Sequence, residues 1–468
     1  MTSTTDSGEV VASIARAVQA RGGRALLVGG CVRDVMLGLE RKDFDLEVFG
    51  VEASVLEALL RERYPLHEVG RAFGILKIQG HDIDLALPRR ETKIAAGHRG
   101  FAVDTDPHLD LESAALRRDF TINAIYEDPL TGEVIDPLNG RADLEKRTLR
   151  HCSAHFGEDP LRVLRAMQLA ARFNLMVAPS TLEQCRRLDL EELPAERVEG
   201  EFRKLLLEGQ RPSRGLQFLK ECGALRFFPE IQALDGVPQN PQWHPEGDVF
   251  VHTGHCLDHF ALERSSPTED WIVGLALLCH DFGKPSTTRL ERGAFRSPGH
   301  SEAGEAPTRS FLARLSREPD LIETVVKLVL HHLRPYEMYR DNVGDSAIRR
   351  LATQVNLRVL VRVARHDSAG RPPLPFDGFP AGEWLMQRAR ALEIADQAPR
   401  PIVMGRHLIE RGLTPGPEFK SILDRCFEAQ LDGVFSDLEG GLSFLDRMHP
   451  APSPSPEDRP PTSSPNNS

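Results

Sequence analysis

The sequence predicts an α+β protein in which a mixed α/β head is followed by all-helical regions. Over roughly the first 140 residues, strand-and-turn text such as ALLVGG, DFDLEVFG and HDIDLAL alternates with short helical patterns. From Gly157 to about residue 447 apolar residues recur at helical spacing instead, as in EDPLRVLRAMQLAARF, AERVEGEFRKLLLEG and WIVGLALLCHDF. At 468 residues, 40% of them hydrophobic, the chain is long enough for several cores.

Taken in order, residues 8–21 form an amphipathic helix, and a strand begins at Ala25 and ends in Gly29-Gly30. VRDVMLG reads as a helix, then DFDLEVFG, HEVGRAFGILKIQG and HDIDLAL as strands. Residues 89–116 mix charges, Gly and Pro with little periodicity and are expected to be a long, mobile loop. PQNPQWHPEGD (238–248) and GRPPLPFDGFPAG (370–382) read as linkers. Residues 450–468 are Pro/Ser-rich and nearly devoid of apolar side chains, so burial cannot offset their ordering entropy; they are expected to be disordered. These breaks divide the chain into a head (1–150), a helical neck and body (151–237), a second functional domain (238–370), a helical C-terminal region (371–449) and a tail.

Composition excludes several classes. The seven cysteines form no C-x-x-C pair, which argues against a zinc ribbon or a disulfide framework and fits a reducing cytoplasm. No apolar run approaches the roughly 18 residues of a membrane span, and no signal-peptide pattern opens the chain, so a cytoplasmic protein without membrane contact is expected. A net charge of −11 means that any nucleic acid must be met by a local basic surface. Arg197, Arg203, Lys204, Arg211, Arg214 and Lys220 are the candidates, and a solvated helix face is the alternative.

The most informative segment is LLVGGCVRDVMLGLERKDFDLEVFG (26–50). Gly29 and Gly30 allow the backbone to approach a ligand and turn N–H groups towards phosphate oxygens, with Arg33 one turn further on. Asp43 and Asp45 are two apart on a strand, which puts both carboxylates on one face. That is the donor set for two Mg²⁺ ions in phosphoryl transfer, and Asp84 on a later strand is the candidate third carboxylate. Downstream, Asp159-Pro160 is a good helix start, and Arg162 and Arg165 share a face of the helix that follows. Cytosine and adenine both place an amine donor beside a ring-nitrogen acceptor, whereas guanine and uracil place a carbonyl beside an N–H. A carboxylate with an arginine therefore accepts C and A and rejects G and U without a template. Alternatively, Asp159 only caps its helix.

GG-x-VRD followed by D-x-D resembles the active-site motif of class II tRNA nucleotidyltransferases and bacterial poly(A) polymerases, within the DNA polymerase β superfamily. The resemblance continues through RRDFTINAIY (117–126), GEDPLRVLRAMQLAARF (157–173) and AERVEGEF (195–202). It implies a polymerase β-like nucleotidyltransferase head with an antiparallel-leaning sheet. It also implies metal binding by Asp43 and Asp45, and nucleotide binding by Gly30, Arg33, Arg118, Asp159, Arg162 and Arg165, with Asp119 recognising the ribose. The implied substrates are tRNA, CTP and ATP. Two departures stand out: Gln168 replaces a frequent third arginine, and Ala114 and Ala115 stand in a loop where the family commonly has an acidic residue.

A second cluster lies between residues 244 and 367. His252, His255 and His259 fall on one helix, His280 and Asp281 end another, and His300, His331, His332 and Asp367 follow. Imidazoles and carboxylates on several helices facing one centre make a divalent-metal site. The spaced set His252, His280, Asp281 and Asp367 resembles the HD phosphohydrolase superfamily, with His300 and His331 as candidates for a second metal. The resemblance implies 2′,3′-cyclic phosphodiesterase, 2′-nucleotidase or phosphatase activity; an HD fold that only helps to hold RNA is the alternative.

The expected function is template-free addition of C, A or both to the tRNA 3′ end by two-metal nucleotidyl transfer. An A-adding half-enzyme or poly(A) polymerase is the alternative within the class. From another class, an RNA-binding or nucleotide-signalling protein would have only its HD domain active.

Overall fold

Helix α1 (Thr4–Gln19) and strand β1 (Arg24–Val28) open the chain, and their apolar residues Val11, Ile14, Val18, Ala25 and Leu27 share one core. The amphipathic helix expected at 8–21 thus forms a few residues earlier. In this computed structural model residues 4–67, 75–93 and 101–449 are described. They form two compact units, Met1–Val326 with Ala369–Pro375, and Lys327–Ser368 with Phe376–Ser468. The disordered tail expected at 450–468 lies outside the described residues.

The head continues with α2 (Gly30–Met36), β2 (Phe44–Phe49), α3 (Ala53–Arg61), β3 (Leu66–His67), β4 (Ile75–Ile78) and β5 (Ile83–Ala86). After these come β6 (Arg89–Lys93), β7 (Phe101–Thr105), α4 (Leu111–Leu116), β8 (Tyr126–Glu127), β9 (Val134–Ile135) and α5 (Gly140–Glu145). Seven strands make one mixed sheet in the order β3-β4-β5-β2-β1-β8-β9. Among the described strands of this sheet, β2 and β5 alone run parallel, and their register sets Asp45 directly beside Asp84. The other pairs are antiparallel, as the family resemblance implies.

The segment expected to be a long mobile loop is largely ordered. β6 and β7 pair antiparallel from Arg89↔Thr105 to Lys93↔Phe101, while residues 94–100 lie outside the described ones. RRETK shows no alternation of apolar and polar residues, so the ladder leaves no period-two trace in the sequence. α4 is too short for a helical period and owes its start to Asp110, whose carboxylate accepts from Ser113 N at 2.8 Å.

The helical part of the first unit begins with α6 (Leu161–Phe173), α7 (Pro179–Arg186), α8 (Ala195–Glu208) and α9 (Pro212–Glu221). α6 is buried along most of its length, with Arg162, Arg165 and Arg172 gathered on its polar side, and packs against both α8 and α9. Gly215 allows the closest approach: a Cβ there would lie 2.8 Å from the Met167 carbonyl oxygen. The helices Val249–Leu262 and Pro267–Cys279 follow, the second buried along most of its length. In the second unit Tyr336 packs edge-on against Phe379 at 5.1 Å, and Val403, Leu408, Ile422, Cys426, Phe435 and Leu445 form a separate core. Among the described residues no helix is long and apolar enough to cross a membrane.

Candidate active sites

The first site is a cleft of roughly 300 Å³ on the head, lined by Asp45, Glu47, Asp84, Ala114, Arg117 and Arg118 among others. β1 reaches it through Gly29, whose φ of 87° suits a residue without a Cβ. A Cβ at Gly29 would stand 3.4 Å from Arg118 Nη1 and 3.5 Å from Asp45 Oδ2, so the turn after β1 lies against both side chains. Asp43 immediately precedes β2 and Asp45 is on it, while Asp84 is its register partner on β5. Lys77 Nζ holds Asp84 Oδ2 at 2.5 Å. Burial, with the repulsion of Asp43 and Asp84, pushes the Asp45 carboxyl up to about 6. Such a surplus of negative charge is what a divalent cation would relieve, so the donor set fits Mg²⁺.

The remaining expected nucleotide-binding residues form a second node. Arg33 is buried, with Nη1 donating to Asn123 Oδ1 at 2.6 Å, Nη2 to Asp34 Oδ1 at 2.5 Å, and its guanidinium stacked 4.3 Å from the Phe173 ring. It joins α2 to α6 as well as lying one turn past Gly30. Asp119 accepts from Phe120 N, Asn123 Nδ2 and Arg165 Nε at 2.8, 3.0 and 2.7 Å. Burial alone would raise its carboxyl, yet Arg165 and Asn123 outweigh this and hold it at about 2. Arg162 donates to the carbonyl oxygens of His155 and Arg117 at 2.6 and 2.8 Å. Asp159 does help to start α6, since its Oδ1 accepts from Leu161 N at 3.0 Å, while Oδ2 pairs with Arg197 at 2.8 Å.

The second site centres on Asp281, which is 1% exposed. His280 Nε2 stands 3.2 Å from its Oδ2, His252 Nε2 3.9 Å, and His300 Nε2 3.6 Å from Oδ1. Each imidazole is oriented through its other nitrogen. His252 Nδ1 meets Glu246 Oε1 at 2.8 Å and Gly370 O at 3.0 Å, His280 Nδ1 meets Leu277 O at 2.7 Å, and His300 Nδ1 meets Ser297 O at 2.8 Å. With Nδ1 donating, each imidazole turns its Nε2 towards the carboxylate, the nitrogen through which it would hold a metal. Asp281 Oδ1 is buried and accepts no hydrogen bond among the described residues, an orphaned atom that a cation would satisfy. His331 and Asp367 belong to the second unit, at the end of the helix Pro319–His331 and on the helix Leu357–Ala369.

The model of the poly A polymerase head domain matches residues 25–150, and that of the probable RNA and SrmB-binding site of polymerase A matches residues 174–234. The Multifunctional CCA protein of Laribacter hongkongensis is 37% identical over 395 residues, covering 80% of this chain and 94% of that protein. The chain belongs to the CCA-adding/poly(A) polymerase family. The fold agrees with that of family members of known structure. The Bacillus stearothermophilus CCA-adding enzyme in complex with CTP is 23% identical, with a TM-score of 0.65 over 93% of this chain and 96% of that one. The Thermotoga maritima CCA-adding enzyme complexed with tRNA is 19% identical, with a TM-score of 0.57 over 94% and 95%.

Within the family pattern both departures have a place in the structure. Gln168, where a third arginine is frequent, is buried and accepts from Arg172 Nη1 at 3.4 Å. Ala114 and Ala115 are buried in α4, where the cleft wall takes a methyl group.

Several residues escaped the sequence reading. Glu47 continues the alternation of Asp43 and Asp45 along β2 and pairs with Arg118 at 3.2 Å; the D-F-D-L-E spacing was the available signal. Glu246 and Lys284 were hidden for another reason. PQNPQWHPEGD reads as a linker, yet it carries Glu246 to His252, and its Gln239 Oε1 accepts from Lys284 Nζ at 2.8 Å. Lys284 Nζ in turn lies 2.7 Å from Asp281 Oδ2.

The raised Asp45 carboxyl has a measurable cost. Its folded-state value of about 6 exceeds the ordinary 3.8. The folded chain therefore binds the proton more tightly than the unfolded one, and stability is lost as pH rises from about 4 to about 6. Asp45→Asn is expected to stabilise the metal-free protein by about 1–3 kcal/mol at pH 7.5 and by almost nothing at pH 4. Thermal unfolding in chelator at both pH values checks this; equal Tm values for the two proteins at pH 7.5 would contradict it.

Proposed function

We propose that the chain adds C and A to the 3′ end of tRNA from CTP and ATP without a nucleic-acid template. The convergence of Asp43, Asp45 and Asp84 beside Gly29 and Arg118 carries this reading, and family membership supports it. Those carboxylates would hold Mg²⁺, which supplies charge neutralisation at the triphosphate and acidity for the attacking 3′-hydroxyl. The chain's own residues do the rest. Gly29 and Gly30 admit the phosphates, Arg118 and Arg33 meet them with positive charge, and Asp119 with Arg165 fixes the ribose-binding turn. Asp159 with Arg162 and Arg165 selects the amine-bearing bases. Residues 1–150 act as the head and 151–237 as the neck and body that meet the tRNA.

Residues 238–370 are proposed to be an HD-type phosphohydrolase domain acting on 2′,3′-cyclic or terminal phosphates. His252, His280 and Asp281, with His300 beside them, would hold a divalent cation, which supplies a nucleophile at neutral pH; Asp367 is the further ligand the resemblance implies. A tRNA end closed as a cyclic phosphate offers no 3′-hydroxyl, so hydrolysis there would prepare the end for nucleotide addition.

The deciding experiment incubates the protein with tRNA lacking CCA and with each nucleotide singly and together. CTP alone is expected to extend the end by C only, and CTP with ATP to complete CCA and stop. Addition of A alone, or unlimited A-tailing, would replace this reading by an A-adding enzyme or a poly(A) polymerase.

A further inference from the structure

Asp43, just before β2, and Asp45 and Glu47 on it are carboxylates two residues apart, and the third does not face the same task as the first two. Glu47 is 9% exposed, and its Oε2 accepts from Tyr126 OH at 3.0 Å and pairs with Arg118 Nη2 at 3.2 Å. A carboxylate so enclosed needs a cation beside it, and the guanidinium of Arg118 is the one supplied. Arg118 is itself held on several sides. Nη1 reaches Asn123 O at 3.4 Å and the guanidinium carbon lies 5.7 Å from the Tyr126 ring centre, while the buried Nε has no hydrogen-bond partner among the described residues. The same guanidinium stands against Gly29, where Asp45 Oδ2 also arrives. Arg118 therefore sits between two carboxylates, Asp45 and Glu47, and only one of them is tied to it by an ion pair.

We propose that Glu47, with Tyr126, is a positioning residue that holds Arg118 on the cleft wall as a polyphosphate receptor and keeps it from closing onto Asp45. Without Glu47, Arg118 is free to close onto Asp45, which arrives at the same glycine turn, and a pair between them would consume a phosphate-binding cation and a carboxylate of the cleft together. Glu47 acts through Arg118 and touches no substrate. This assignment presupposes that the cleft takes a nucleoside triphosphate, as proposed above.

The test is a double-mutant cycle on nucleotide binding without turnover. CTP and inorganic pyrophosphate are titrated separately into the full chain with Mg²⁺ and no tRNA. Glu47→Ala is expected to weaken both by about tenfold or more, the loss of one charge-assisted contact. Glu47→Gln, which keeps the shape and one hydrogen bond, recovers part of that loss. Arg118→Ala weakens both ligands, and adding Glu47→Ala to it produces no further loss. Tyr126→Phe gives the same pattern at smaller amplitude, so a Glu47→Ala chain that fails to fold does not shield the proposal. Unchanged Kd values in Glu47→Ala and Tyr126→Phe, or losses that add fully to that of Arg118→Ala, overturn the role of Glu47 and leave nucleotidyl transfer standing. A wild-type chain that binds neither CTP nor pyrophosphate overturns both.

Discussion

Replacing Asp43 by alanine is expected to lower nucleotide incorporation by about 10³-fold or more, because charge stabilisation of phosphoryl transfer is worth several kcal/mol and each 1.4 kcal/mol is tenfold. Asp43 lies one residue before β2, at the open end of the carboxylate set, and its charge contributes to the raised Asp45 carboxyl. The substitution therefore removes a cation donor without opening a core, and Tm should fall little or rise. Incorporation of labelled CTP into truncated tRNA reads the loss. Hydrolysis of a 2′,3′-cyclic substrate by the same variant should be unchanged, since none of the residues assigned to the two sites is shared. Simultaneous loss of both activities in a folded Asp43→Ala protein would mean that the two-site division is wrong.

Much of the head's chemistry could be read before its geometry. Gly29-Gly30, the D-x-D spacing and Asp84 come together because strand alternation and glycine turns are local rules, and local rules survive into the fold. The parallel β2–β5 register that sets Asp45 beside Asp84 is a long-range fact, and no spacing in one strand announces it. The β6–β7 ribbon was illegible for a related reason: RRETK lacks the alternation that marks a strand. Arg33 shows the limit in the other direction. Its place one turn after Gly30 was foreseeable, but its bonds to Asn123 and its stacking on Phe173 depend on elements about 90 and 140 residues away. Glu246 was missed because Pro, Gly and Asn in PQNPQWHPEGD speak for a loop. Nothing in that composition says that a loop can be laced to a histidine of the next helix.

The second large effect is expected at Asp281. Asp281→Asn should abolish metal-dependent hydrolysis of 2′,3′-cyclic phosphate while leaving nucleotide addition intact. Burial opposes ionisation of this carboxyl, but His280 and Lys284 outweigh it and hold the group well below the usual carboxylate range. A depressed folded-state value stabilises the fold above the ordinary carboxylate range, and that stability is lost as pH falls through it. At neutral pH the ionised carboxylate therefore serves the fold, and under the proposed function it would serve the metal site as well. Asparagine keeps the size but removes the charge, so Lys284, 2.7 Å away, loses its anionic partner and the fold loses stability. Alanine would cost more, through the cavity as well as the unpaired charge. Two measurements separate site from scaffold. Metal content by elemental analysis should fall in Asp281→Asn, and the Tm difference from wild type should begin to shrink only below about pH 4, where the unfolded carboxyl takes up a proton while the native one stays ionised. Retained cyclic phosphodiesterase activity in a folded, metal-depleted Asp281→Asn protein would remove this cluster from consideration as the hydrolytic site.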